Sequence, residues 1–225
     1  MRILLILLIA FPCLGQRVLV PPSDTLWNGL VGWWTLNGNA LDWSGKGNHG
    51  TIASPVFTNG TIGASILLNG SSQRVMTGVM PTYPITLSCW LFSTNSSGQC
   101  GLYGDAVNYE NGFAIYLRHV DGAHFAFTFR GSSFLRAGSV VTNSWIHFVA
   151  TCDSSLLAKI YTNGVFLAQA QFTDGSFTST EASIGMAGNI NSPQYFPGRI
   201  DDVRIYNRAL SAEEIKLLYN GGYGR

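Results

Sequence analysis

The chain has 225 residues, with 6 Trp, 9 Tyr, 13 Phe and 26 Gly, and only 11% of it is charged. This excludes a disordered segment, which is poor in aromatics and rich in charge, and it excludes collagen, because the glycines keep no period of three. Lys and Arg number 13 against 12 Asp and Glu, which excludes a nucleic-acid binder held by its charge and leaves a globular chain long enough for one sizeable core.

Residues 1–15 read MRILLILLIAFPCLG. Arg2 gives a short positive start, Ile3 to Phe11 are apolar, Pro12 breaks the run, and Cys13 and Gly15 are small residues just before Gln16. The pattern is that of a secretory signal peptide cut before Gln16. A membrane span needs about 20 apolar residues, so the run is too short for an anchor, and Pro12 fits poorly with a lipoprotein site at Cys13. The expectation is a secreted, extracellular protein with no transmembrane span in the mature chain. Removal of Arg2 leaves basic and acidic residues balanced. Residues 16–25, with Pro21-Pro22, read as an extended lead-in, and residues 26–222 as one domain.

Three cysteines then remain: Cys89, Cys100 and Cys152. In an oxidising compartment, one disulfide and one spare thiol is the simplest account. Cys89 and Cys152 both lie in strand-like segments, and neighbouring strands would bring them together; that is the favoured pair of three. The other reading is three small buried apolar residues. No CxxC or Cys/His spacing points to zinc.

From about residue 26 onward, short alternating runs are punctuated by Gly, Asn and Ser. Ile85–Leu91, Gly112–Arg118 (GFAIYLR), Ala123–Arg130 (AHFAFTFR), Trp145–Cys152 and Leu156–Tyr161 all read as strands. Phe113, Ile115 and Leu117 share one face, as do Phe125, Phe127 and Phe129, the period two of a half-buried strand. Asn163-Gly164 between two such runs is a hairpin signal, since a type I′ turn needs positive φ at both positions. About a dozen short strands at this spacing predict an all-β sandwich or barrel. One helix is expected near the end. Ser211 and Glu214 form a capping box, Ile215, Leu218 and Tyr219 make one apolar stripe, and Asn220-Gly221-Gly222 stops it.

Two end segments carry a resemblance. Leu30–Thr51 reads LVGWWTLNGNALDWSGKGNHGT and Gly198–Asn220 reads GRIDDVRIYNRALSAEEIKLLYN; ITLSCWLF, WIHFVATCD and KIYTNGVF lie between them in order. The chain resembles LamG-like jelly-roll domains of the concanavalin A-like lectin/glucanase superfamily, which also holds pentraxins and laminin G modules, over about residues 26–222. The resemblance implies an all-β, two-sheet antiparallel jelly-roll sandwich (concanavalin A-like) with one short C-terminal helix. It also implies a partner that is a glycan or a cell-surface or extracellular protein, and in many relatives calcium. The Trp33-Trp34 strand and the Asp201–Tyr206 strand should lie side by side.

Strand parity puts Asp201 on one face with Val203 and Ile205, and an inward carboxylate needs a cation or several donors. Calcium takes six to eight oxygens, and Asp42, in the Gly-rich Asp42–Gly50 loop, would be a second carboxylate. The resemblance points the same way, since many relatives hold structural Ca2+ near the first loop and last strand. A salt bridge to Arg199 or Arg204, or hydrogen bonds from backbone N–H groups, is the other reading. Arg204 and Tyr206 read as a structural pair on the opposite face.

Flat aromatic rings suit the apolar C–H faces of sugars, and polar neighbours suit the hydroxyls. Tyr103, Tyr109 and Tyr195 lie in or beside Gly/Asn-rich loops, with Asp105, Asn108, Asn111 and Asn191 as polar company; loops on a rigid sandwich are where binding sits. Tyr caps of the core are the other reading. Trp33, Trp90 and Trp145 read as core, and His147 as structural. Glucanases of the superfamily use an E-x-D-x-x-E run to flank one glycosidic bond. The four Glu here, Glu110, Glu181, Glu213 and Glu214, form no such run, and no G-x-S-x-G elbow occurs. The expected function is a secreted, non-catalytic, lectin-like carbohydrate-binding module with a structural calcium. The alternatives are a protein-interaction or adhesion module without a sugar ligand, and a hydrolase or lyase with an unfamiliar site.

Overall fold

The computed structural model describes residues 24–79, 83–94, 99–105, 113–118, 124–129, 133–173, 182–189 and 192–221. In chain order the elements are α1 (Asp24–Trp27), β1 (Leu30–Trp34), β2 (Val56–Asn59), β3 (Ala64–Asn69), β4 (Val75–Met76), β5 (Ile85–Ser93), β6 (Gln99–Asp105), β7 (Phe113–Arg118) and β8 (His124–Phe129). There follow β9 (Ser133–Ala137), β10 (Trp145–Cys152), β11 (Leu157–Thr162), β12 (Val165–Gln171), β13 (Ala182–Ile184), β14 (Met186–Asn189), β15 (Ser192–Tyr195), β16 (Pro197–Tyr206) and α2 (Ala212–Tyr219).

One antiparallel sheet runs β12-β11-β10-β5-β16-β3-β2, with β1 also on β16; a second runs β4-β13-β6-β7-β8-β9, and β14 and β15 pair as a hairpin. The sheets face each other across the core. Leu87, Leu91, Phe148, Ile160, Ile200 and Val203 of the first join Leu102, Ile115, Leu117, Phe125 and Phe127 of the second. Phe125 stacks on Phe148 with centroids 4.8 Å apart. This is the expected antiparallel sandwich.

The reasons are local. β5 is buried almost throughout because it is central and covered on both sides: Leu87, Cys89 and Leu91 enter the core, while Trp90 stacks on Tyr219 of α2 at 5.6 Å. At the β11–β12 turn Asn163 and Gly164 take φ of 51° and 76°, as a type I′ hairpin requires. Helix α2 begins with the expected capping box, Ser211 with Glu214. It buries Ile215 and Leu218 against Leu30, Trp33 and Tyr206 on the outer face of the larger sheet. β1 pairs with β16, Leu30 opposite Tyr206 and Trp34 opposite Val203, so the first strand lies beside the last as expected.

Three expectations are corrected. The Cys89–Cys152 bridge is absent. The two cysteines do sit on neighbouring strands, but Cys89 pairs with Phe148 and Cys152 with Ile85. Four register steps of about 3.3 Å separate them, too far for a disulfide. Cys89, Cys100 and Cys152 are buried thiols; burial pushes Cys100 up to about 11 and, with the Asp153 charge, Cys152 to about 12. Next, Asp201 does not share a face with Val203 and Ile205. A register shift lies between Asp201 and Arg204, with Asp202 at φ 46°. This bulge puts Asp201 opposite Trp90 and Arg204 opposite Ser88, on the outer face, while Val203 and Ile205 stay in the core. Last, Asp24 and Thr25 do not extend the lead-in but open the one-turn helix α1; residues 16–23 lie outside the described residues.

Candidate functional site

Asp42 organises its loop from within. Its Oδ1 accepts from Trp33 N and Ser44 N, both at 2.9 Å. Its Oδ2 accepts from Ser44 Oγ at 2.8 Å and Asn48 N at 2.9 Å. Burial alone would raise this carboxyl, but the donors outweigh it and hold it below its ordinary value. The loop is pinned further where Trp34 Nε1 donates to Asn48 O and Asn48 Nδ2 to Val31 O, both at 2.9 Å. Both oxygens thus already have two donors each.

Asp201 is held by another segment. Its Oδ2 accepts from Thr61 N at 2.8 Å and Ile62 N at 2.9 Å, in the β2–β3 turn. Its Oδ1 is buried and has no hydrogen-bond partner. Burial, with the charge of Asp202, drives the carboxyl up to about 8 against the pull of the two turn N–H groups. Asn37 Oδ1 meets the same turn, accepting from Ala64 N. A Cβ at Gly60 would collide with Asp201 Oδ2, and one at Gly63 with Asn37 Oδ1. Neither Arg199 nor Arg204 pairs with Asp201. Arg204 binds Asp202, with Nη2 3.0 Å from Oδ2; Arg199 lies over the Phe92 ring at 3.8 Å. Among the described residues no three His, Cys, Asp or Glu side chains gather as a metal cluster.

The sugar-stacking candidates separate. Tyr103 is no loop residue: it sits inside β6, 1% exposed in the core, its OH donating to Val79 O at 2.6 Å and lying 3.1 Å from Thr77 Oγ1. Asp105 ends β6 opposite Ala182, its side chain outside the described part. Asn108, Tyr109, Asn111 and Asn191 lie outside the described residues. Tyr195, at the end of the β14–β15 hairpin, lines a cleft of about 470 Å³ with Thr51, Ile52, Ala53, Ser72, Gln73, Arg74 and Met76. Among the described residues its lining holds an aromatic ring, hydroxyls, an amide and a guanidinium, but no carboxylate.

A family model described as Laminin_G_3, concanavalin A-like lectin/glucanases superfamily, matches residues 67–216. The chain belongs to this superfamily. Solved structures share the jelly roll. Domain 4 of the extracellular GH43 arabinanase AbnA from Geobacillus stearothermophilus, in complex with arabinotriose, aligns with TM-score 0.72 at 21% identity, covering 84% of this chain and 98% of that one. The binding domain of botulinum neurotoxin serotype D aligns with TM-score 0.66 at 18% identity, covering 88% of this chain and 53% of that one. A Trypanosoma rangeli sialidase complex aligns with TM-score 0.65 at 17% identity, covering 85% and 32%. Identities this low carry the fold alone, and the jelly roll matches about a third of the sialidase and half of the toxin domain. No curated protein sequence matches the chain. Among the described residues no helix is long and apolar enough to cross a membrane.

Proposed function

We propose that this superfamily member is a secreted carbohydrate-binding module that takes its ligand in the cleft at Tyr195 and performs no chemistry on it. One observation carries this: the cleft pairs an aromatic ring with polar groups, and among the described residues its lining holds no Asp or Glu. A phenol ring accepts a sugar C–H face, and Thr51 and Ser72 can serve hydroxyls, the few polar groups that orient a ligand in such clefts. Hydrolysis of a glycoside canonically uses two carboxylates flanking the bond, and the described lining of this cleft holds neither. The Ser88–His147 contact, at 2.8 Å, is buried under Tyr219 and offers substrate no approach. The arabinotriose complex of the arabinanase domain supports a sugar-binding use of the fold.

A structural calcium belongs to the same proposal. Asp42 does not fit as a ligand, its lone pairs being taken. Asp201 does, since its Oδ1 is a buried oxygen without a donor, the kind of oxygen the ion takes. Export by way of a signal peptide cut before Gln16 completes the reading.

The test is a glycan array on the mature protein in calcium and in EDTA, with Tyr195→Ala beside it. Binding by the wild type and a roughly tenfold loss in the variant, the scale of one aromatic contact, is expected with unchanged melting. A folded wild type that binds no glycan overturns the proposal and favours a protein partner.

A further inference from the structure

We propose that the Tyr195 cleft selects acidic saccharides, and that Arg74 is the residue that holds the ligand's carboxylate. The inference rests on the carbohydrate reading of this cleft and adds the charge class of its ligand.

Arg74 leaves a loop that is fixed from both sides. Asn69 Oδ1 accepts from Ser71 N and Ser72 N at 3.0 Å and Gln73 N at 3.1 Å. Gln73 Oε1 in turn accepts from Asn69 N at 3.1 Å, and Gln73 Nε2 donates to Ser54 O at 2.8 Å. The Gln73 amide therefore ties the β3–β4 loop to the segment that forms the cleft's other wall. The backbone that carries Arg74 is organised before any ligand arrives, so little ordering is left to oppose binding.

The guanidinium itself is unspent. Its hydrogen bond is from Nη2 to Met76 Sδ at 3.9 Å, and a thioether is a weak acceptor. The arginines on and just after β16 are engaged. Arg204 pairs with Asp202 and Arg208 with Glu214. Arg199 stacks on Phe92 and donates to Asn59 O. Those ion pairs, Arg204–Asp202 and Arg208–Glu214, are the ones found among the described residues, and Arg74 is in neither. It is half-buried in a cleft whose described lining holds no acid, so no described carboxylate compensates its charge there. A planar fork of N–H donors matches a carboxylate in two parallel hydrogen bonds. With Tyr195 on the same cleft for the ring, the complementary ligand is a sugar bearing a carboxylate, a hexuronate unit being the simplest.

The experiment is titration calorimetry with hexuronate oligosaccharides and with their methyl esters, which keep the ring and size but lose the charge. Wild type, Arg74→Gln and Arg74→Lys are compared, each with its melting curve. The acid should bind wild type about tenfold tighter than the ester, the scale of one charge-assisted contact. Arg74→Gln should bind both at the ester's level, and Arg74→Lys should keep part of the preference. Equal binding of acid and ester by wild type, or a preference that survives in Arg74→Gln, overturns the inference and leaves the carbohydrate reading standing. Binding of neutral glycans alone does the same. Binding of peptide carboxylates but no saccharide, or of no ligand by a folded protein, overturns both.

Discussion

Asp201 and Asp202 are adjacent carboxylates in one buried strand, and they are treated in opposite ways. Asp202 is compensated: Arg204 Nε and Nη2 reach its Oδ1 at 3.2 and 3.1 Å, and Trp33 Nε1 donates to the same oxygen at 2.6 Å. The guanidinium lies 4.4 Å from the Trp33 ring centroid. Burial opposes the charge on Arg204, but Asp202 outweighs it and keeps the side chain protonated. A buried pair of this kind adds little over an apolar pair, yet removing one partner strands the other. Asn tolerates the positive φ of position 202, so Asp202→Asn isolates the charge. It should lower stability by about 3–5 kcal/mol, and Arg204→Met in the same background should recover part of that. Chemical denaturation reads both; an unchanged midpoint in Asp202→Asn would show that the pair carries no such role.

At the level of elements, the sequence is legible wherever a local rule acts alone. Asn163-Gly164 needs only its own backbone preference to declare a hairpin, and Ser211 with Glu214 needs only each other. Parity failed at Asp201 because a bulge is one extra residue, and nothing in RIDDVRIY marks which residue is extra. Tyr103 differs from its expected place in or beside a loop for a related reason: its Gly neighbours signal a loop, while in the fold β6 runs through them. The Asp42 loop shows a side chain acting as an element's core. Its carboxylate accepts four hydrogen bonds, so Asp42→Asn, which puts an NH2 where acceptors are needed, should cost about 1–3 kcal/mol. The pH dependence has a definite sign. The folded carboxyl lies below its ordinary value of 3.8, so its contribution is full above that value and is lost as pH falls through the folded one. Acid should therefore destabilise wild type more than Asp42→Asn. Parallel stability curves from neutral to acid pH would refute this account of the loop.

Across the whole molecule, the cleft and the buried Asp201 oxygen arise from chain crossings that a linear reading does not display. Thr51, Arg74 and Tyr195, far apart in the chain, line one cleft. Tyr195 was visible as an aromatic beside a polar loop. Arg74 was not, because an unpaired cation is recognised only once every possible partner has been placed. β16 is the joint of the large sheet: β5 runs along one side of it, while β3 and β1 share the other. Asp201 stands at the point where β3 gives way to β1, beside the β2–β3 turn. A cation bound at its Oδ1 would tie that turn to the central strand and exist only in the folded state, so its binding energy adds to stability. At a hundredfold excess over the dissociation constant the gain is about 2.7 kcal/mol, or roughly 5–10 °C for a domain of this size. Chelation should lower the melting temperature of wild type by that much and calcium should restore it, whereas Asp201→Asn should melt alike in both. Superimposable wild-type curves in calcium and in EDTA would remove the ion from this fold and leave Asp201 as a buried acid held by two turn N–H groups.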